Sequence, residues 1–255
     1  SIFQKDPQVL IGHAGSGFDS FAKLRDKTIL IGNGGRVTYW PFLRKKYGLK
    51  DEQLRPYNFQ MAPFLANPNA VQQGFLSSEP YSIAQATGKA PEVMLIADAG
   101  FSAYQTTIAI SRKLASEKKD LVQRFVDATL EGWAQYLKGG AAVEAANALI
   151  KRENPEQTDD RIAYAIKVLN ARGIVLSGDA LTGGIGAMSD ARSWLSACAV
   201  YAMTLRPRVA GFARIRSQAS SPDMPGMLIS NIPRSYLPCS TSLSAISALG
   251  ASSTS

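Results

Sequence analysis

Cysteine and histidine are nearly absent from this chain. Its 255 residues hold two cysteines, Cys198 and Cys239, and one histidine, His13. No zinc site of ordinary ligand spacing can be assembled from them, and nucleophilic chemistry of the Cys–His kind has no partners at hand. No metal site and no cofactor is therefore expected. Long apolar runs are missing too, so no segment reads as a membrane-crossing helix, and no basic-then-apolar leader stands at the start. Basic residues exceed acidic ones by 28 to 20, a net charge of +8, but the excess is scattered. Residues 1–192 carry 23 Lys and Arg against 19 acids, and 193–255 carry five Arg, one acid and no Lys. The densest cluster, Arg44-Lys45-Lys46, is followed by Asp51-Glu52. No basic stripe interleaved with aromatics forms, and nucleic acid is not an expected partner.

What is present is an α/β pattern. Gln8-Val9-Leu10-Ile11 and Thr28-Ile29-Leu30-Ile31 read as buried strands. The second runs into Gly32-Asn33-Gly34-Gly35-Arg36-Val37-Thr38-Tyr39-Trp40 and then Pro41, an order of strand, open turn and helix start. Gly48 supplies a left-handed stop. Ala70-Val71-Gln72-Gln73 reads as a helix piece, and Tyr57-Asn58-Phe59, Phe75–Ser78, Val93–Ala97 and Thr106–Ile110 as strands. The second half is helical. Leu121 to Lys138 repeats Val122, Phe125, Val126, Leu130, Trp133 and Leu137 on one face. Ala141–Ile150 follows, and Thr158 caps a helix that ends near Gly173. Such alternation predicts α/β layers around a mainly parallel sheet. Residues 193–255 differ: 14 of 63 are serine, and the composition reads as a poorly packed tail.

Two stretches suit a ligand. Gly32 to Trp40 lacks the third glycine of a dinucleotide fingerprint and the Lys-Ser/Thr of a phosphate loop. It offers backbone N–H donors at a helix start, the Arg36 guanidinium, the Thr38 hydroxyl and the Tyr39 and Trp40 rings, a set fit for a small polar ligand. The alternative is a tight βα turn that holds nothing. Ser77-Ser78-Glu79-Pro80-Tyr81 sets a carboxylate at a strand's end, kept extended by the proline behind it. A carboxylate there accepts two neighbouring N–H groups, and Tyr81 can stack. The alternative is a solvated Glu favoured by a helix dipole. His13 has no acid partner in the sequence pattern that would make it a general base.

Several motifs together resemble one family. They are Phe3–Leu10, Ile31-Gly32 with Thr38–Leu43, Gln72–Phe75 with Ser78–Tyr81, and Asp120–Ala128, extended by Asn154-Pro155, Thr158–Asp160 and Ser177–Thr182. The family is the thiamine-pyrimidine-synthase-like group of ABC-transporter substrate-binding proteins, related to the aliphatic sulfonate, nitrate and taurine binders. The resemblance spans residues 1–192 and implies a type II periplasmic binding fold. Residues 15–104 would form a ligand-binding second lobe. Residues 1–14 and 105–192 would supply hinge strands and the helical remainder of an incomplete first lobe. It further implies a cleft lined by Gly34, Gly35, Arg36, Thr38, Tyr39 and Trp40, with Glu79 and Tyr81 opposite.

The implied role is solute capture for an importer: a monomeric periplasmic protein that binds a heterocycle such as a thiamine pyrimidine precursor and delivers it to an inner-membrane ABC permease. Relatives that synthesise the pyrimidine carry a cysteine-rich motif and a dedicated histidine. No cysteine precedes Cys198, so the chain is not expected to be an enzyme. A pyrimidine-synthase-like enzyme and a non-functional fragment of a binding protein are the alternatives. Relatives also begin with a leader and most of a first lobe, so the resemblance implies a shortened chain. After Arg192 the sequence departs from theirs, as an out-of-frame tail would.

Overall fold

The computed structural model describes residues 1–190, 192–193 and the backbone of 227–229. The chain forms two compact units: Pro7–Ser102, and Ser1–Asp6 together with the described residues from Ala103 on. The expected tail, with Cys198 and Cys239, lies outside the described residues except at Ser193 and 227–229.

The first unit is built on strands β1 (Gln8–Gly12), β2 (Thr28–Ile31), β3 (Leu54–Pro56), β4 (Ala70–Phe75) and β5 (Glu92–Leu95). Between them run helices α1 (Asn33–Val37), α2 (Trp40–Tyr47), α3 (Ala62–Leu65) and α4 (Glu79–Thr87). The sheet order is β3-β2-β4-β1-β5. Strand β2 runs parallel to β3 and β4, whereas β1 runs antiparallel to both β4 and β5. The sheet is therefore mixed: β2, β3, β4 and β5 run one way, as the predicted mainly parallel sheet requires, and β1 alone runs against them. The alternation of elements registers helices between strands, but the direction in which β1 enters depends on pairing alone.

All five residues of β1 are buried, and the strand is paired on both edges, with β4 and β5. Ala70–Phe75 is a strand and not a helix piece. Two glutamines break its apolar run, so periodicity did not show it. The strand predicted over Tyr57–Phe59 ends at Pro56, leaving those residues in a loop. Gly48 does end α2 in the left-handed region, at φ 67°. His13 stacks on Phe64 with centroids 4.0 Å apart. Its Nε2 lies 3.1 Å from the Phe64 carbonyl and 3.0 Å from that of Asn67. Carbonyls only accept, so this nitrogen carries the proton and ties the α3 turn down.

The second unit contains β6 (Ile108–Ile110), α5 (Arg112–Glu117), α6 (Lys119–Tyr136), α7 (Glu144–Glu153), α8 (Asp159–Ala171), α9 (Ala180–Gly183) and β7 (Met227–Ile229), the last pairing parallel with β6. The Thr158 hydroxyl accepts from Arg161 N at 3.3 Å and caps α8. On α6, Val122 and Val126 are buried, whereas Phe125, placed on the buried face by the helical repeat, is 59% exposed. A polar clasp closes this unit. Arg192 donates to the Asp179 carboxylate at 2.9 Å and to the Gln4 side chain at 3.1 Å. Its guanidinium lies 4.1 Å from the Tyr104 ring centroid, and the Tyr104 hydroxyl donates to Asp179.

Candidate functional site

Strands β2, β3 and β4 are parallel, so their carboxyl ends lie on one side of the sheet, the side where open α/β sheets bind ligands. Three segments leave from there: Gly32 into α1, Tyr57 into a loop, and Ser77-Ser78 into α4. Gly32 N donates to the Gln73 side chain at 2.9 Å, and Gln73 Nε2 donates to Gln8 Oε1 at 3.0 Å. This buried relay fixes the start of the glycine turn to the middle of the sheet.

Glu79 is the first residue of α4, following Ser78 as N-cap. It is thus helical, where the proline behind it predicted an extended residue. Its carboxylate accepts from Phe75 N at 2.8 Å, which folds the side chain back over the strand end. The close approach depends on Gly74, where a Cβ would stand 2.9 Å from the Glu79 Cβ and 2.6 Å from Ile11 Cδ1. Tyr57, itself buried, faces this carboxylate. Burial, then the charge of Glu79 and a hydrogen bond to it, push the Tyr57 hydroxyl up to about 12, against a smaller opposing influence of Gln72. Glu79, Tyr57 and Gln72 therefore form one polar cluster on one face of the sheet.

The other expected site residues divide. Gly34 and Arg36 stand partly exposed on α1, and the Arg36 guanidinium makes no hydrogen bond to the described residues. The Thr38 hydroxyl turns inward and donates to the Gly34 carbonyl at 2.9 Å. Gly35 is a packing glycine: a Cβ there would lie 2.5 Å from the Tyr39 hydroxyl and 2.7 Å from Ile31 Cγ2. Tyr39 is 0% exposed and Trp40 3%. The stacking role expected of these two rings is corrected accordingly, because neither has a face open to a ligand. Trp40 instead donates its indole N–H to Asp51 at 2.7 Å. That bond comes first among the influences that hold the Asp51 carboxyl below its usual value. Tyr81, on α4, is half-buried.

Sequence reasoning missed Tyr57, Gln72 and Gln73. The available signal was a pair of amides in the midst of an otherwise apolar strand, a place where polar groups are uncommon without a task.

An α/β unit with a mixed sheet and a polar cluster at the carboxyl ends of its parallel strands is compatible with the fold of periplasmic binding proteins. The model of the NMT1/THI5-like family matches residues 1–139, and the chain belongs to that family. The match takes in the whole sheet unit and α6, and ends short of the motifs between Asn154 and Arg192. No curated protein matches the chain. Members of the family typically bind solutes or are related to thiamine pyrimidine synthesis. Among the described residues no helix is long and apolar enough to cross a membrane, and no cluster of metal-ligating side chains occurs.

Proposed function

We propose that this chain is the solute-binding component of an ABC importer, capturing a small polar heterocycle such as a pyrimidine precursor of thiamine. The observation that carries this reading is the Glu79–Tyr57 pair at the carboxyl ends of β3 and β4. A carboxylate steadied by Phe75 N keeps lone pairs for an amino group, and a phenol beside it supplies a donor or an aromatic edge. Capture requires no covalent step. His13 supports binding over acid–base chemistry, since its Nε2 proton is directed at two backbone carbonyls. In this reading the protein works in the periplasm as a monomer, hands its solute to an inner-membrane permease, and catalyses nothing.

Isothermal titration with 4-aminopyrimidine tests it. The wild-type protein is expected to bind. Glu79→Ala is expected to weaken binding by about 1–3 kcal/mol, the worth of a charge-assisted hydrogen bond. Unchanged affinity in Glu79→Ala would remove Glu79 from the site, and turnover of the pyrimidine would overturn the binding role.

A further inference from the structure

Gln72 and Gln73 are adjacent residues with opposite fates. Gln73 uses both ends of its amide, accepting from Gly32 N and donating to Gln8. Gln72 points to the other face of β4, is 0% exposed, and meets the Tyr57 hydroxyl, while neither Nε2 nor Oε1 completes a hydrogen bond of good geometry among the described residues. Its strand neighbours are apolar. The register sets it opposite Ile11 on β1 and Leu30 on β2. A buried primary amide so poorly satisfied destabilises its own fold, and leucine or methionine would fill the position without that penalty.

The amide lies under the polar cluster. Tyr57 sits over Gln72 on the same face, and Glu79 stands next along β4 above Gly74. The loop that carries Tyr57 holds Phe59 at φ 64°, a left-handed conformation rare for a bulky residue. The Phe59 ring packs against Tyr57 at 5.2 Å while remaining 73% exposed. Tyr57 thus stands at the boundary between the sheet, to which its N–H is tied through the Ile31 carbonyl at 3.3 Å, and an exposed segment that begins at Asn58.

Resting on the solute-binding reading, we propose that Gln72 is the specificity-determining group of the site, and that its amide pairs with the ligand edge when Tyr57 swings aside. The primary amide demands a donor and an acceptor side by side, the way glutamine reads an amino group next to a ring nitrogen in adenine. An aminopyrimidine presents that edge: its ring nitrogen accepts from Gln72 Nε2, and one amino hydrogen goes to Gln72 Oε1. The second amino hydrogen is left for Glu79. The ligand class is therefore a heterocycle with an exocyclic amine adjacent to an unsubstituted ring nitrogen.

The test compares wild type and Gln72→Met with 4-aminopyrimidine and with pyrimidine, by titration calorimetry and thermal melting of the ligand-free protein. Gln72→Met is expected to melt higher than wild type, to bind 4-aminopyrimidine roughly ten- to hundredfold more weakly, and to lose most discrimination against pyrimidine. A merely structural glutamine would give the opposite: a lower melting temperature with affinity and discrimination unchanged. Nitrogen-15 NMR of the wild type, which needs no variant to fold, supplies a second readout. The Gln72 side-chain NH2 signals are expected to shift on adding 4-aminopyrimidine. Wild-type binding with those signals unmoved overturns the role of Gln72 alone. No binding by wild type overturns the solute site, and this inference with it.

Discussion

The two units treat polar and apolar groups differently. In Pro7–Ser102 the strands are covered: Val9, Leu10, Ile11, Ile29 and Ile31 are all fully buried, and the conspicuous cost is an amide, Gln72, among them. In the unit from Ala103 on, Arg192, Asp179, Tyr104 and Gln4 are bonded to one another, although the buried Ser177 hydroxyl has no partner among the described residues. It also leaves more large apolar side chains exposed, although Phe59 and Val37 of the first unit are exposed too. Leu121 on α6 is 52% exposed, Phe125 59%, Leu149 on α7 49% and Leu181 on α9 74%. A sheet buries each strand between neighbours and layers, so its interior closes by construction. An amphipathic helix closes nothing until another element covers its stripe. The sheet unit thus closes on apolar strands, whereas the helical unit combines buried Val126, Ile162, Leu169 and Ile174 with a polar clasp.

The sharpest way to break this comparison is truncation on each side. Ile11→Ala should cost about 2–5 kcal/mol in urea unfolding, and Leu121→Ala no more than about 0.5 kcal/mol. Equal costs would show that the helical faces are covered after all. Gly35→Ala comes next. The new methyl group must displace Tyr39 or Ile31, and overpacking of that kind is expected to cost about 1–3 kcal/mol. Unaltered stability would mean that the turn is free to bind and is not part of the core.

The pH dependence of the two polar clusters differs in sign. Tyr57 has a folded value raised from 10.0 to about 12. Its contribution is therefore complete below pH 10 and is lost as pH rises from there towards 12. Tyr57→Phe should flatten the urea midpoint across that window. Asp179 shifts the other way. Burial raises its carboxyl, but Tyr104 and Arg192 outweigh that and hold it below 3.8. Its contribution is present above pH 3.8 and is lost as pH falls below that value. Asp179→Asn should flatten the acid limb instead, and the same response from both variants would deny that the units have separate electrostatics. A modest effect is expected at Thr158→Ala, which removes the α8 cap and should cost about 1 kcal/mol. Loss of helical signal well beyond α8 would show the second unit to be more cooperative than its packing implies.

Much of the fold was legible because local chemistry decided it. Thr158 before Asp159-Asp160, Gly48 after Tyr47 and the apolar run of β1 act over a few residues, and they appear where the pattern set them. Glu79 was legible as a carboxylate at a strand's end, though not its helical backbone. Tyr39 and Trp40 were not legible as core. An aromatic pair after a glycine turn reads equally as a stacking platform and as packing, and only the close approach of Tyr39 to Gly35 distinguishes the two. Strand β4 was hidden by its glutamines, and Tyr57 by lying in a loop far along the chain from Glu79.

By itself the sequence determined the α/β class, the helix boundaries near caps and glycines, and the poverty in metal-binding side chains, since each follows from composition or from interactions a few residues long. Only the tertiary structure decided that β1 enters antiparallel and that Gly35 serves packing. It alone brought Tyr57, Gln72 and Glu79 onto one face, because strand pairing is what joins residues so far apart in the chain.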